Sequence, residues 1–234
     1  MNNILTVNDI HTFIGQFHIL EGVSVEVPEG SITVLLGRNG SGKTTTLKSI
    51  LGLSPPRSGA ITFNGEELQG QPAYKIASKG IGYVPERRAI FRDLSVEENL
   101  KIAERKKGDL AEHEDFIFRL FPDLKRLIKL PGGNLSGGQQ QMLAVARALV
   151  AENQLLLIDE PSEGLAPVII EQMIEAIQEL SAHTTVMLVE QNFIMASQLA
   201  DRYTIIESGK SVKSGLMKDL INDNETIRRY LGAT

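Results

Sequence analysis

The sequence predicts an α/β fold in which helices flank a mainly parallel β-sheet, with an N-terminal antiparallel β portion and an inserted helical lobe. Two apolar runs, Ile32–Leu36 and 155–158, have the length of buried strands, and a glycine-rich turn and a helical pattern follow the first. Val23, Val25 and Val27 alternate with polar residues, which indicates a half-buried strand. Residues 86–130 carry helix signals and no good strand pattern, so we expect this segment to belong to the lobe.

Composition and charge narrow the functional classes. The 234 residues suffice for one domain with a sizeable core, and 29 acidic against 24 basic residues give a net charge of -5. This excess of acids argues against general affinity for nucleic acid or anionic membranes. No apolar run approaches the ~20 residues that span a bilayer, and the N-terminus shows no signal peptide. The chain has no cysteine, which excludes disulfides and thiolate metal sites, and we expect a cytoplasmic protein.

The region before residue 86 predicts an antiparallel portion attached to a core of buried strands. Residues 4–7 form a short strand, and residues 61–63 precede Asn64-Gly65, a dipeptide typical of hairpin turns. A short helix is expected at 72–78 and a strand at 81–84, which ends before Pro85.

The glycine-rich stretch 37–44 fits the pattern G-x-x-x-x-G-K-[ST] of a phosphate-binding loop. It lies between a strand and a helix that stops at Gly52, which is the context that the motif requires. Glycines let backbone N–H groups turn toward a phosphate, and the helix N-terminus faces the same group. Lys43 would reach the β- and γ-phosphates, and the Thr44 hydroxyl would bind Mg²⁺. The candidate nucleotide-binding residues here are Gly37, Arg38, Asn39, Gly40, Ser41, Gly42, Lys43, Thr44 and Thr45.

The lobe, residues 86–150, predicts helices with defined starts. Ser95 and Glu98 have the spacing of a capping box, which predicts a helix to about residue 103. We expect residues 105–108 to form a solvated charged loop and 112–121 to form a helix closed by Pro122. The whole chain, 1–234, is then a single domain with its core in residues 1–85 and 151–234.

Ser136 and Gln139 form a second capping box, which predicts a long helix to about residue 150. Gly137 and Gly138 leave bare N–H groups at the start of this helix, which favours an anion. Taken alone, the pattern fits an ordinary capped helix. Its place between the phosphate loop and the acidic motif that follows favours the anion site.

The buried strand 155–158 is followed by two carboxylates, Asp159 and Glu160. Ligands of open α/β sheets bind at the C-terminal ends of the strands, where the chain can turn and direct both acids at one site. Asp159 would hold Mg²⁺, directly or through water, and Glu160 would accept a proton from an attacking water.

The remaining residues complete the α/β pattern. An amphipathic helix and a buried strand that ends in Glu190-Gln191-Asn192 come first, and a helix, a hairpin and a helical tail follow. The expected elements are a helix at 168–181, a strand at 185–189, a helix at 193–200, and hairpin strands at 203–207 and 211–214.

These motifs, in this order and across the whole chain, resemble the ATP-binding cassette family. The Leu-Ser-Gly-Gly-Gln sequence at 135–139 is highly specific for that family. Finer features resemble one subfamily, the second ATPase subunit of branched-chain amino acid importers. These features are Val84-Pro85-Glu86, Glu160-Pro161-Ser162, Gly164-Leu165-Ala166-Pro167, Leu188-Val189-Glu190-Gln191-Asn192 and the ending Tyr230-Leu231-Gly232.

The resemblance implies an ATPase that binds ATP and Mg²⁺ and powers transport from the cytoplasmic face of the inner or plasma membrane. Two cassettes would sandwich two ATP molecules, so Ser136, Gly137, Gly138 and Gln139 would serve the nucleotide of the partner. The partners implied are two integral-membrane permease subunits, a related second ATPase or a second copy of this chain, and indirectly an extracytoplasmic solute-binding protein. The lobe near Glu86 would receive a coupling helix from a permease.

Four positions depart from the commoner pattern of the family. Glu86 stands where glutamine usually contacts Mg²⁺ and the water, and Gln191 stands where histidine usually contacts the γ-phosphate. Glutamine can donate a hydrogen bond but carries no positive charge. Ala166 replaces a usual aspartate, and Ile14 stands where a tyrosine commonly stacks on adenine. Phe13 or Phe17 is an alternative base-stacking residue, and both also fit packing within the hairpin.

Three other functions stay open at this point. The same role for urea, short amides or other amino acids is the main alternative, because the solute never touches this subunit. A non-transport switch that acts on nucleic acid or ribosomes is remote, because such proteins usually carry two cassettes or long coiled-coil insertions. A lipopolysaccharide-exporting ATPase is a more distant transport alternative, since that group resembles the usual glutamine and histidine pattern.

Overall fold

The computed structural model describes residues 2–232, and within that range it has the predicted α/β fold. The predicted domain limits, residues 1 and 234, lie outside the described residues. The strands are β1 (Asn3–Ile14), β2 (Phe17–Pro28), β3 (Ile32–Leu36), β4 (Ser58–Phe63), β5 (Glu66–Glu67), β6 (Ile81–Val84), β7 (Leu155–Asp159), β8 (Thr185–Glu190), β9 (Arg202–Glu207) and β10 (Lys210–Leu216). The helices are α1 (Lys43–Ile50), α2 (Ala73–Ser78), α3 (Val96–Lys101), α4 (Asp109–Leu120), α5 (Pro122–Arg126), α6 (Gly137–Ala148), α7 (Pro167–Ser181), α8 (Phe193–Leu199), α9 (Met217–Leu220) and α10 (Asn224–Thr226), followed by a π-helical turn, Ile227–Leu231.

The larger sheet has the strand order β10-β9-β3-β8-β7-β6. Its strands run parallel except for β10, which pairs antiparallel with β9 in the predicted hairpin. β3, β7 and β8 are buried along their whole length, as their apolar sequences predict for central parallel strands. The loops after β3, β6, β7 and β8 therefore leave one edge of the sheet, where the candidate site residues lie.

The smaller sheet is antiparallel, with the order β2-β1-β4-β5. β1 is 12 residues long, although the sequence predicts only a short strand at 4–7. The polar residues after Val7 hide the continuation, since the register shifts between Val7 and Ile10 and Asp9 is left-handed with φ 46°. β1 continues through this irregularity because it lies between β2 and β4 and pairs with both.

Hydrophobic clusters lie on both faces of the larger sheet, because successive residues of a strand point to opposite faces. Val34, Leu36, Leu156 and Ile158 belong to the cluster that includes α6, α7 and the lobe helices. Leu35, Leu155 and Leu157, with Met187 and Val189, belong to the cluster that includes the antiparallel sheet and α1. The core thus fixes β3 and β7 from two sides, and this holds their C-terminal loops next to each other.

The segment 86–150 contains α3 to α6, in agreement with the predicted helical lobe. Residues 105–107 are exposed, as expected for a charged connector, but Arg105 is not simply solvated. Its guanidinium donates to Asn153 Oδ1 at 2.7 Å and to the Glu152 carbonyl at 3.1 Å, and so joins the lobe to the start of β7. α4 begins at Asp109, earlier than predicted, because this carboxylate accepts from the backbone N–H groups of Arg105 and Lys106. In the described part of the chain, no helix is long and apolar enough to cross a membrane.

Candidate nucleotide-binding and hydrolysis site

The glycine-rich loop leaves the C-terminal end of β3, and α1 begins directly after it at Lys43. Gly42 has a φ of 112°, and a Cβ there would lie 2.6 Å from Leu20 Cδ2. A Cβ on Gly37 would lie 2.4 Å from the Ile206 carbonyl oxygen. Glycine is needed at Gly37 because a Cβ would collide with the backbone of β9, and at Gly42 because other residues rarely adopt its φ. The loop is therefore packed closely between β2 and β9, while its residues 38–40 are exposed.

Lys43 is the charged centre of this loop, and its side chain is only 3% exposed. Its ammonium donates to the carbonyls of Gly37 at 2.9 Å and Arg38 at 3.2 Å, and it lies 3.0 Å from Glu160 Oε1. These contacts match the three donors of an ammonium group. The nearby Ser41 hydroxyl is buried and has no hydrogen-bond partner within residues 2–232, which marks a polar atom that a bound phosphate would satisfy.

Asp159 ends β7 and is fully buried beneath the loop. Its Oδ1 accepts a hydrogen bond from the Thr44 hydroxyl at 3.0 Å, and its Oδ2 accepts one from the Tyr83 hydroxyl at 3.2 Å. Burial raises the pKa of Asp159 to about 6, although both hydrogen bonds oppose that rise. A buried carboxylate paired with a hydroxyl is the kind of oxygen donor set that Mg²⁺ prefers, so these residues fit the ion.

The described side chains do not form a complete set of metal ligands by themselves. Among the described residues, no three histidine or acidic side chains form a cage for a metal ion. Mg²⁺ commonly binds through one or two carboxylates together with phosphate oxygens and water, so this arrangement suits an ion that arrives with a nucleotide.

Glu160 follows Asp159 in a left-handed conformation with φ 46°. Its backbone N–H donates to the Val189 carbonyl at 2.9 Å, which continues the pairing of β7 with β8 while the side chain turns toward Lys43. Left-handed backbone at a non-glycine residue costs about 1–3 kcal/mol, and such strain clusters at functional sites. The chain turns at Glu160, and the two acids contact neighbouring residues of the phosphate loop, Asp159 with Thr44 and Glu160 with Lys43.

Glu86 and Gln191, the other two candidate catalytic residues, lie in the loops after β6 and β8 and are exposed. Within residues 2–232, neither side chain hydrogen-bonds to Lys43, Asp159 or Glu160. Glu86 is nevertheless near enough that its charge, after burial and Glu160, adds to the rise in the pKa of Asp159.

Glu190, the last residue of β8, belongs to a sequence feature named above but has no role predicted from the sequence. Its buried carboxylate accepts hydrogen bonds from Ser162 in the loop after β7 and from the backbone N–H groups of Gln191 and Asn192. Two signals in the sequence point to this residue, an acid at the end of an otherwise apolar strand and its place in the Leu188–Asn192 feature.

The signature segment 135–139 forms a group of its own at the start of α6. The predicted capping box is present, because Ser136 Oγ accepts from the Gln139 N–H at 3.3 Å and Gln139 Oε1 accepts from the Ser136 N–H at 3.0 Å. A Cβ on Gly138 would lie 2.8 Å from Ile169 Cγ2, so a larger residue there would displace the Ile169 side chain. No hydrogen bond joins this segment to the phosphate loop within the described chain.

Arg88, which sequence analysis did not single out, links the Glu86 segment to α6. Arg88 and Ala89 are both left-handed, with φ values of 60° and 48°. Arg88 Nε donates to Gln141 Oε1 at 3.3 Å, and Arg147 Nη1 donates to the Ala89 carbonyl at 2.6 Å. These contacts hold two strained residues in place between Glu86 and the signature helix.

The candidate base-stacking residues and Ala166 lie outside the phosphate loop. Phe13 stacks on His18 at 4.1 Å, and Arg57 lies 3.9 Å from the Phe13 ring. The Phe13 ring therefore packs against side chains of this chain. Phe17 is 65% exposed and Ile14 is 49% exposed at the β1–β2 turn, which leaves these two side chains accessible to a base. Ala166 is the residue before α7 and has no side chain that could cap this helix, which begins with Pro167.

Comparisons with known proteins find relatives over nearly the whole chain. A family model described as ABC transporter matches residues 20–163. The chain is 43% identical over 232 residues to the high-affinity branched-chain amino acid transport ATP-binding protein BraG of Pseudomonas aeruginosa, covering 98% of this chain and 100% of that protein. It is 37% identical over 221 residues to LivF of Archaeoglobus fulgidus, a probable branched-chain amino acid transport ATP-binding protein, covering 93% and 94%. A solved structure of an ATP binding subunit of an ABC transporter is 28% identical with a TM-score of 0.82, covering 98% of this chain and 96% of that one.

Proposed function

The chain belongs to the ABC transporter family of ATP-binding subunits, and we propose that it hydrolyses ATP to power the import of branched-chain amino acids. The observation that carries the solute class is the 43% identity to a branched-chain amino acid transport protein, which extends over nearly the whole of both chains. The Lys43–Glu160 and Thr44–Asp159 contacts support the ATPase chemistry. The solute itself would be handled by other subunits.

We assign the phosphates of ATP to the loop between β3 and α1. Gly37 to Thr45 would surround them with backbone N–H groups, and the Ser41 hydroxyl would gain a partner there. Lys43 already has three acceptors, so a phosphate oxygen would take the place of at least one of them. Ile14 and Phe17 are the accessible side chains for the base.

Thr44, Asp159 and Glu86 would hold Mg²⁺, which supplies positive charge to the phosphate oxygens when bound. The Thr44–Asp159 contact supports this assignment, and Glu86 joins it from the loop after β6. Glu160 would accept the proton of the attacking water, and Gln191 would donate a hydrogen bond to the γ-phosphate. A phosphate that draws Lys43 away from Glu160 would free this carboxylate for its role.

The assembly is proposed from family membership. A second cassette, either a related ATPase or a copy of this chain, would bring its nucleotide to Ser136, Gly137, Gly138 and Gln139. Two permease subunits would bind the lobe near Glu86 at the cytoplasmic face of the membrane, and an extracytoplasmic binding protein would deliver the solute. We also propose that 86–150 is a lobe of the same domain as 1–85 and 151–234, because its apolar side chains share one cluster with the larger sheet.

Uptake in the host tests the solute class. Deletion of the coding sequence should reduce uptake of labelled leucine, isoleucine and valine, and only the intact gene, not the Glu160→Gln version, should restore it. Normal branched-chain uptake with a defect for urea, short amides or other amino acids would overturn the solute assignment while the ATPase role stands. Co-purification with the permeases and light scattering of the complex would identify the second ATPase subunit.

Purified protein tests the chemistry directly. Phosphate release from ATP should require Mg²⁺ and stop when EDTA is added, and it should return when excess Mg²⁺ is restored. Hydrolysis that continues in EDTA would contradict the proposed metal ligands. Salt-sensitive binding to nucleic acid would instead favour a non-transport role.

A further inference from the structure

Glu190 has an unusual environment for an acidic side chain. It ends β8, and only 1% of the residue is exposed. Its Oε1 accepts from the Ser162 N–H at 3.0 Å. Its Oε2 accepts from the Ser162 hydroxyl at 3.0 Å, the Gln191 N–H at 3.1 Å and the Asn192 N–H at 3.0 Å. Four donors therefore converge on one buried carboxylate.

These contacts connect two loops that the sheet alone does not join. Ser162 lies two residues after Glu160 in the loop that follows β7, whereas Gln191 and Asn192 form the loop that follows β8. Asn192 also caps α8, because its Oδ1 accepts from the Met195 N–H at 3.2 Å. The two loops enclose an open recess of about 260 Å³, which is lined by Glu160, Ser162, Glu163, Glu190, Gln191 and Asn192.

A carboxylate suits this position better than a neutral side chain. Each of its oxygens is an acceptor, whereas an amide would direct N–H donors at one group of backbone N–H donors. Burial raises the pKa of the Glu190 carboxyl above its ordinary value, and the hydrogen bonds from Asn192 and Ser162 oppose that rise. A buried charge is costly to maintain and does not by itself indicate a gain in stability. Glu190 joins the loop that carries the proposed base, Glu160, to Gln191, the residue proposed to contact the γ-phosphate. This position indicates a role in function.

We propose that Glu190 is a positioning residue for ATP hydrolysis, which holds Gln191 at the γ-phosphate by fixing its backbone to the loop that carries Glu160. This inference rests on the proposed ATPase function and on the assigned role of Gln191. Glu190 acts on turnover through its neighbours and does not contact the phosphate loop, so ATP binding should be largely independent of it.

Steady-state ATP hydrolysis by Glu190→Gln tests the proposal. We expect kcat to fall at least about tenfold while KM for ATP changes less than about threefold, since an interaction needed only for turnover is lost. Asp109→Asn is the matched control, because Asp109 is also a buried acid, accepts hydrogen bonds from two backbone N–H groups and lies in the lobe. It should lower the melting temperature and leave kcat within about twofold of the original value.

A double-mutant cycle separates positioning from a general structural effect. If Glu190 acts through Gln191, adding Glu190→Gln to Gln191→Ala should lower kcat less than about twofold further. The proposal would be overturned if the fold-losses in kcat of the two single substitutions multiply in the double variant. It would also be overturned by an unchanged kcat in either Glu190→Gln or Gln191→Ala. If Glu190→Gln does not fold, Ser162→Ala replaces it in the same cycle, since it removes one of the four donors and keeps the charge.

The same measurements distinguish the two levels of inference. Hydrolysis that survives Glu160→Gln would reject the proposed catalytic role on which this inference rests. Hydrolysis that is lost in Glu160→Gln but is untouched in Glu190→Gln would reject only the positioning role.

Discussion

The ammonium group of Lys43 lies 3.0 Å from Oε1 of Glu160, and the two side chains are 3% and 10% exposed. This contact pairs the residue proposed to bind the β- and γ-phosphates with the residue proposed to accept a proton from water. The two proposed roles require other partners for these side chains, so ATP would have to separate the pair before hydrolysis. Under the proposed roles, the binding of a phosphate at Lys43 would therefore rearrange this buried pair.

Replacement of Glu160 by glutamine tests both halves of this pair. The Glu160→Gln protein should lose ATP turnover by at least about a hundredfold, because an amide cannot accept the proton. Its affinity for ATP should be equal to or higher than that of the original protein, since the anionic competitor for Lys43 is gone. Phosphate release and equilibrium binding of a labelled nucleotide measure the two effects.

Glu179→Gln is the control, because Glu179 lies on α7 and is an exposed partner of Arg119 on α4. This substitution should leave both ATP turnover and ATP affinity unchanged. Turnover that persists in Glu160→Gln would remove Glu160 from its proposed role. Weaker ATP binding in this variant would show that Glu160 supports Lys43 instead of competing with the nucleotide.

The parts of the site that follow directly from the sequence are those whose geometry is local. The phosphate loop and the Asp159–Glu160 pair could be predicted because strand, turn and helix signals lie within a few residues of each motif. Glu190 and Arg88 could not, because their partners belong to other elements and are fixed only by the packed sheet and the lobe. Arg105 shows the same limit, since a charged residue in a connector gives no local sign that it will donate to Asn153.

Ser136 and Ser95 offer a comparison between two capping boxes in one lobe. Each serine accepts a hydrogen bond from the third residue of its helix, so replacement by alanine should cost about 1 kcal/mol of stability in either case. Only Ser136→Ala should also lower ATP turnover, because only Ser136 is proposed to contact a nucleotide. Urea unfolding and phosphate release measure the two effects in parallel. Equal turnover in both variants would limit Ser136 to a capping role.

Arg105 should contribute to stability in spite of its position in an exposed connector. Arg105→Ala removes the donors to Asn153 and to the Glu152 carbonyl, which should destabilise the protein by about 1–2 kcal/mol. Lys107→Ala, at an exposed position of the same connector, should stay within about 0.5 kcal/mol of the original protein. The urea midpoints of the two variants decide the matter, and equal midpoints would mean that the contacts of Arg105 add no net stability.

Glu97 should give the lobe a measurable dependence on acid. Its carboxylate contacts Lys101 at 2.6 Å and also Lys129, and these hydrogen bonds lower its pKa from 4.5 to about 2. Because the pKa is lower in the folded state, the stabilisation is complete above about pH 4.5 and is lost as the pH falls toward 2. Glu97→Gln should therefore melt at a lower temperature than the original protein at pH 6, and the gap should narrow steadily below pH 4.5. In a Lys101→Ala/Lys129→Ala background the same substitution should change the melting temperature little at any pH, and a gap that persists there would show that these lysines do not cause the effect.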